Sequence, residues 1–449
     1  MQMRLTVHGG AGEIGGNKIL LEDGDARIWL DMGLPFGFGE QYFVNYLGPR
    51  DRFGLRDYLE FDLVPRIKGL YSKESLEETT FPYSPPGFSG VLLSHAHFDH
   101  SSMLGYVDED IPVHLGECTR TILEAWAATS YRADLGEHDY KTFRSKRKIK
   151  MDGVEAIPVH VDHSVPAAYG YILHAPSGTA VYTGDLRRHG PHAEMTAEFI
   201  DAARAAKPDV LLCEGTRVDP ADTRTPYSEK DVKDLSIAEV RKAKGRLAIV
   251  TFYPRDVDRM RTFHEVARAT GRDFVLSAKA AHLLRALEKD GRIKVPRVRS
   301  DGGLLVYLRR LAKSIAWEEK LRDELGGRIV GAEYVKKHQG ELLLQLDFTH
   351  FTELIDIEPK RGSIFIHSMS EPFEEDDIED AVKDRWLDHF GLVEHQLHAS
   401  GHLSRKELES MVKEIGAKKL VPIHTDRPEM FKDFTSGVIV PEKGKTISI

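Results

Sequence analysis

The sequence predicts an α/β chain built on sheets, and three observations carry that expectation. Short apolar runs bounded by glycine and aspartate fill the first 30 residues. Buried-looking strands then recur, with helical stretches between them, as far as about residue 215. From Arg217 onward, helix and strand patterns alternate regularly. Taken in order, LTVHGG and NKILLE flank the glycine-rich AGEIGG, and ARIWLDMG follows the turn EDGD, so the opening reads as paired strands. Gly10, Gly12 and Gly15 match the G-x-G-x-x-G spacing of dinucleotide sites, but that pattern needs a helix to open inside the loop. KILLE is strand-like, and a hairpin loop is expected instead. Residues 34–90, rich in Gly, Pro and aromatics, read as an extended loop with one or two short helices.

GVLLSH is expected as a buried strand ending in histidine, VDEDIPVHLG as a short strand and CTRTILEAWAATSY as a helix. Strands follow at 154–160, 169–174 and 179–183, then the helix FIDAARAA and the strand DVLLCEG. Beyond Arg217, DLSIAEVRKAKG, DVDRMRTFHEVARATG and KAAHLLRALEKDG read as helices between the strands RLAIVTFY and DFVLSA. Such alternation implies a parallel sheet with crossover helices. GRIVGA and SIFIHS are two more strands, and EEDDIEDAVKDRWLDHFG a helix with acidic residues in its first turn and Gly391 at its end. The histidine-rich style of the first half returns in LHASGH and VPIH. One domain (1–216) is therefore expected to be interrupted by a second (217–395) and completed by 396–449.

Composition bounds the function. The 449 residues suit two or three domains, at roughly 100–200 residues each. No stretch approaches the ~20 apolar residues of a membrane span, and MQMRLTVHGG lacks the apolar core of a signal peptide. With only Cys118 and Cys213, a reducing cytoplasm is the expected setting. The net charge of −9 argues against coating nucleic acid by bulk attraction, but leaves room for a local basic groove or a metal centre.

The central motif is Ser94-His95-Ala96-His97-Phe98-Asp99-His100, at the end of an apolar strand. In extended chain His95 and His97 project to one side, while Asp99 and His100, past the strand, can swing to a neighbouring position. One motif can thus give two ligands to each of two cations. Imidazole and carboxylate suit Zn²⁺, with Mn²⁺ an option where oxygen dominates. Further ligand types stand at other strand ends: His163 in VDHS, Asp185 in YTGD, where a carboxylate can bridge both ions, and His424 in VPIH. His160 competes with His163 but sits within its strand rather than after it.

In this order the motifs resemble the metallo-β-lactamase fold, an αββα sandwich, and within it the nucleic-acid-processing β-CASP branch with its inserted parallel-sheet domain. LDMG, SHAHFDH, DHS and TGD are similar to the superfamily's four successive motifs, and CEGT, SGH and PIH to three β-CASP motifs. GGAGEIGGN and the SGH…PIH pair are most similar to ribonuclease J, and the likeness runs from Gly9 to about Thr425. The chain departs from it in a longer loop between Asp31 and His95, in CEGT, and in ending soon after His424, without that family's extra C-terminal domain.

The resemblance implies that His95, His97 and His163 hold one metal, Asp99, His100 and His424 the other, and Asp185 both. Asp31 would orient a ligand imidazole from behind. His402 would be the general acid, with Glu214 hydrogen-bonded to it and keeping it protonated. The implied activity is hydrolysis of single-stranded RNA, internally or from the 5′ end, with two zinc ions. DNA as substrate, a non-catalytic scaffold and a homodimer are the alternatives carried with it. A small-molecule hydrolase shares the first four motifs but not Glu214, His402 or the inserted domain. Expected backbone contacts are Arg187, Arg188, Arg217, Arg255, Arg259 and Arg261, and the run Arg144, Lys146, Arg147, Lys148, Lys150. Tyr253 and Phe252 are candidates for base stacking, and Ser368, Ser370, Ser400 and Gly401 for substrate phosphate. The acidic stretch 374–380 is expected to face away from nucleic acid.

Overall fold

The computed structural model describes residues 2–44, 46–130, 133–310, 313, 315–370 and 378–449. Strands β1 (Arg4–Gly9), β2 (Lys18–Asp23), β3 (Ala26–Leu30), β4 (Gly90–Leu92), β5 (Val113–Gly116) and β6 (Tyr140–Phe143) form a first sheet. A second contains β7 (Ile149–Met151), β8 (Val154–Val161), β9 (Ala168–Ala175), β10 (Gly178–Tyr182) and β11 (Val210–Glu214). Alternation along the strands explains why the sheets stack. Leu5, Val7, Ile19, Leu21, Ile28 and Leu30 face Ala156, Tyr171, Leu173, Tyr182 and Leu212 of the second sheet, while Leu20 and Trp29 point the other way. Helices cover the outer faces. Glu117–Ala127 lies over the first sheet, and Ala193–Ala205 and Arg405–Ile415 bury Phe199, Leu408 and Met411 against the second. The result is an αββα sandwich.

The third sheet is wholly parallel. It comprises β12 (Ala248–Thr251), β13 (Asp273–Ser277), β14 (Leu304–Tyr307), β15 (Ile329–Val330), β16 (Leu342–Gln345), β17 (Ile364–His367) and β18 (Val393–Gln396). Its order is β15-β14-β13-β16-β12-β17-β18. Helices Val257–Thr270 and Ala278–Asp290, after β12 and β13, pack on one face through Phe263 and Leu284. Helices Glu353–Ile357 and Ile378–Phe390, after β16 and β17, pack on the other through Leu354 and Leu387. The chain then returns: β19 (Lys419–Ile423) pairs with β11, and β20 (Thr446–Ser448) with β1.

Against the expected elements, β6, β7, β14, β16, β18, β20 and the helices Ala316–Leu325 and Arg405–Ile415 are among the additions, and helix Glu229–Lys242 begins earlier than DLSIAEV. Its start is fixed by Ser228 and Asp231, whose side chains cap each other's backbone. Of the acidic stretch, 374–377 lie outside the described residues. AGEIGG is a loop, with Gly10, Gly12 and Gly15 at positive φ, and no helix follows it.

Candidate metal centre

The ligand-type residues are brought together by the carboxyl ends of strands from both sheets. Asp31 follows β3, the 94–100 segment follows β4, His163 follows β8, Asp185 follows β10, and His424 directly follows β19. Asp99 and His100 sit on a single helical turn, Phe98–Ser101. The glycine loop after β1 closes the centre from the side, since His424 N–H donates to the Gly10 carbonyl at 2.8 Å and Asn17 N–H to the Asp99 carbonyl at 3.1 Å.

Two clusters result, and they share one carboxylate. The ligand atoms of His95, His97, His163 and Asp185 lie within 4.8 Å of one another, as do those of Asp99, His100, Asp185 and His424. Asp185 Oδ2 stands 3.1 Å from His100 Nε2, 3.5 Å from His424 Nε2 and 3.7 Å from His95 Nε2. His97 Nδ1 is 3.1 Å from both His95 Nε2 and His163 Nε2. Hydrogen bonds behind the rings fix which nitrogen faces inward. His163 Nδ1 donates to the Gly401 carbonyl at 2.7 Å, leaving Nε2 as the free lone pair. Ser94 Oγ donates to Asp31 at 2.7 Å and lies 2.9 Å from His95 Nδ1, so that ring too turns Nε2 inward. Asp31, fully buried, also accepts from His100 Nδ1 at 2.7 Å and from the Tyr182 hydroxyl.

The residues fit a pair of cations. Burial pushes His97 down to about 3 and holds His95 and His163 well below the ordinary histidine value, so three neutral imidazoles face one another with no proton between them. The second cluster is polarised instead. Against the cost of burial, Asp185, Asp99 and Asp31 hold His100 well above its ordinary value, and Asp185 and Asp99 raise His424. Protons there stand where a cation would. Asp99 Oδ1 and Asp185 Oδ1 are buried without any hydrogen-bond partner. Such orphans are rare unless something charged completes the site. His160 is elsewhere, its ring 4.4 Å from that of Tyr169.

Glu214 and His402 approach but differ from expectation. His402 Nδ1 lies 3.5 Å from Glu214 Oε1, beyond good hydrogen-bond reach, because the Thr216 hydroxyl takes the near position at 3.1 Å. That hydroxyl also lies 2.8 Å from His424 Nδ1, and Glu214 accepts from the Thr216 amide at 2.9 Å. Thr216 is the residue that sequence reasoning missed, although it stands inside CEGT.

The expected substrate contacts divide. Arg187 and Arg259 are fully buried, which removes both from any strand: Arg187 pairs with Asp162 and Asp258, and Arg259 with Glu229, the Ser368 carbonyl and the Ala399 carbonyl. Ser368 is buried with them, its hydroxyl donating to the Leu397 carbonyl at 2.5 Å. Phe252 belongs to the core, stacked on Phe263 at 5.6 Å. Gly401 serves His163 rather than a phosphate. Carboxylates occupy Arg188 (Glu414), Arg217 (Asp222), Arg261 (Asp258), Arg144 (Glu117), Lys146 (Glu198) and Lys148 (Glu155). Those remaining near the centre are Tyr253, exposed and hydrogen-bonded to Ser370, and Arg255, which lies 3.9 Å over the Trp126 ring and donates to the Ala96 carbonyl. Ser370 and Ser400 line a small cavity of about 130 Å³ with Arg217, Arg224, Tyr227 and His398. A larger cavity, about 1110 Å³, opens from His163 toward Lys230, Arg261, Arg292 and Lys294.

A β-lactamase superfamily domain matches residues 68–250. Ribonuclease J of Sinorhizobium meliloti is 24% identical over 74% of this chain and 57% of its own length. Ribonuclease J of Helicobacter pylori is 22% identical over 98% of this chain and 59% of its own length. The chain is similar to ribonuclease J and has the metallo-β-lactamase fold. Ribonuclease J of Pyrococcus abyssi is 21% identical over 94% of this chain and 89% of its own length. A crystal structure of a protein of unknown function from Enterococcus faecalis V583 superposes with a TM-score of 0.79 at 25% identity, covering 100% of both chains. The ribonuclease J-like chain thus spans less than two thirds of the length of the first two bacterial relatives.

Proposed function

We propose that the chain is a metal-dependent phosphodiesterase acting on single-stranded RNA, cutting internally, from the 5′ end, or both. The observation that carries this reading is the pair of ligand clusters sharing Asp185 Oδ2. His95, His97 and His163 hold one divalent cation, Asp99, His100 and His424 a second, and Asp185 both; zinc suits the nitrogen-rich set and manganese is the substitute. When bound, such a pair supplies a water acidified toward neutral pH and neutralises charge on the phosphoryl oxygens. The chain's own residues do the rest. His402, with its ring 5.4 Å from those of both His163 and His424, protonates the departing 3′ oxygen. Thr216 and Glu214 orient it from behind, and Arg255, Tyr253, Ser370 and Ser400 lie where a strand reaches the centre. The third sheet plays the part of the β-CASP insert.

No helix among the described residues is long and apolar enough to cross a membrane, and both cysteines are buried and free. The reading places the chain in the reducing cytoplasm. The test is incubation with 5′-labelled RNA and sequence-matched DNA, with and without chelator. RNA cleavage that chelator abolishes is expected, with released mononucleotide marking exonuclease action and internal fragments endonuclease action. Cleavage that persists in chelator, or none on any nucleic acid with added zinc or manganese, overturns the reading.

A further inference from the structure

Some polar side-chain atoms of the described residues are shielded from solvent yet have no partner, and two sets of three stand out. Asp99 Oδ1, Asp185 Oδ1 and Glu214 Oε1 belong to the centre above. Ser130 Oγ, Gln345 Nε2 and Asp347 Oδ1 all belong to residues lining a second cavity, of about 480 Å³. That volume lies within the roughly 300–1,000 Å³ typical of small-molecule sites. The cavity sits at the carboxyl ends of β13, β14 and β16, where it meets Ser277, Tyr307 and Gln345. Neighbours β13 and β16 send their connecting helices to opposite faces of the sheet, which leaves a crevice between them. In open parallel sheets that switch point is where ligands bind.

The chemistry of the crevice is specific. Gln345 Oε1 accepts from the Ser277 amide at 3.0 Å, so the side chain is oriented and Nε2–H₂ is the unused donor. The Thr251 hydroxyl donates to Met369 Sδ at 3.4 Å, and Asp347 Oδ1 is a buried acceptor with no partner. Trp317 supplies an aromatic wall, and Lys279 and Arg309 place two cations on the lining. Lys279 and Arg309 stand against the carboxylates Asp347 and Glu318 on this lining, a mixed-charge set that suits a polar ring carrying a phosphate better than a lone metal ion. The crevice also communicates with the centre. Lys279 Nζ lies 5.0 Å and the Arg255 guanidinium 3.9 Å from the Trp126 ring, and Arg255 donates to the Ala96 carbonyl between the two ligands His95 and His97.

We propose that this crevice is a nucleobase subsite that takes guanine, with O6 accepting from Gln345 Nε2–H, N1–H and N2–H both donating to the Asp347 carboxylate, and the attached phosphate on Lys279 and Arg309. The proposal rests on the nucleic-acid reading above and adds a base preference to it. An ionised carboxylate beside an amide donor matches the guanine edge, which alone among the bases sets two adjacent donors next to an acceptor. The nucleotide comes either from the bound strand or from the free pool.

The test is fluorescence anisotropy of the full chain in chelator, with labelled uridine oligomers carrying one guanosine at successive positions. One register is expected to bind about tenfold tighter, the scale of a discriminating base contact. Gln345→Glu keeps the oxygen facing Ser277 and deletes the donor, so it removes that increment while the melting curve stays in place. Guanosine 5′-monophosphate separates the sources: competition only at millimolar concentration assigns the crevice to the strand, and micromolar binding that Gln345→Glu abolishes assigns it to a free nucleotide. Equal affinity at every register, with no binding of the mononucleotide, overturns the proposal. Lys279→Met, on the lining, serves if Gln345→Glu misfolds; it is expected to weaken the favoured oligomer, and unchanged affinity overturns the proposal. Cleavage with metal is scored separately, so a chain that cuts RNA without any register effect loses the subsite alone.

Discussion

His402 and Asp185 stand within one cluster but answer to different measurements. His402→Ala is expected to retain both cations and lose about 10²–10⁴ in rate, the usual worth of a positioned general acid. Asp185→Ala is expected to lose metal too, because its carboxylate faces both sets of imidazoles. Metal analysis after gel filtration, beside turnover, separates them, and intact metal in the Asp185 variant contradicts the assignment. Thr216→Val removes the hydroxyl between His402 and His424 and is expected to cost about 10–100-fold in activity, typical for a partner behind a ligand, with a displaced pH profile. Titration gives a further expectation. Against the cost of burial, carboxylates hold His100 well above the ordinary histidine value and raise His424, so the metal-free chain binds protons there more tightly than free imidazoles do. Cation binding must expel them, and affinity therefore falls as pH falls. Calorimetry in two buffers of different ionisation enthalpy reads the protons released; none released contradicts the arrangement. At this scale the ligand types were legible, because a histidine or aspartate just past an apolar strand is a local pattern. Arg187 and Arg259 were not, since sequence displays their charge but not Asp162, Glu229 and Asp258, the carboxylates that bury them.

The segment after β3 shows how tightly elements hold the centre. Met32 N–H donates to the His100 carbonyl at 2.8 Å and Gly33 N–H to the Asn17 carbonyl at 3.1 Å, which presses Gly33 onto the turn bearing Asp99. A Cβ on Gly33 would lie 1.8 Å from the Asp99 carbonyl oxygen, a distance no backbone adjustment of a few tenths relieves. Gly33→Ala is expected to lower the melting temperature and the occupancy of the Asp99–His100–His424 cation together; a variant with normal metal content contradicts this. Most elements were readable from period and punctuation. Among the exceptions, β14, β16 and β18 are four-residue runs, on which periodicity alone does not separate strand from helix. Helix Arg405–Ile415 has its start in Ser404 and Glu407, a reciprocal cap that LSRKELES displays in sequence.

Across the whole molecule, the sandwich and the inserted sheet are joined by charge as well as by apolar packing. Arg187, after β10, reaches Asp258 on the helix Val257–Thr270 at 3.0 Å, with all of its guanidinium buried. Arg187→Leu leaves Asp162 buried without its cation and Asp258 with Arg261 alone, and is expected to cost about 3–5 kcal/mol in chemical denaturation. A loss under 1 kcal/mol contradicts that role. The division into sandwich and inserted sheet was legible because the alternation of helix and strand begins at a definite place. The way the two parts meet was not, as it depends on pairs such as Arg187–Asp258 that lie 71 positions apart. At the metal centre the separation is greater still, with His424 meeting Asp99 across 325 positions of chain. On the ribosome, then, a polypeptide that already displays the whole SHAHFDH motif still lacks one of its ligands until β19 has emerged and docked beside β11. Synthesis itself keeps an unfinished copy from assembling the full set of candidate ligands.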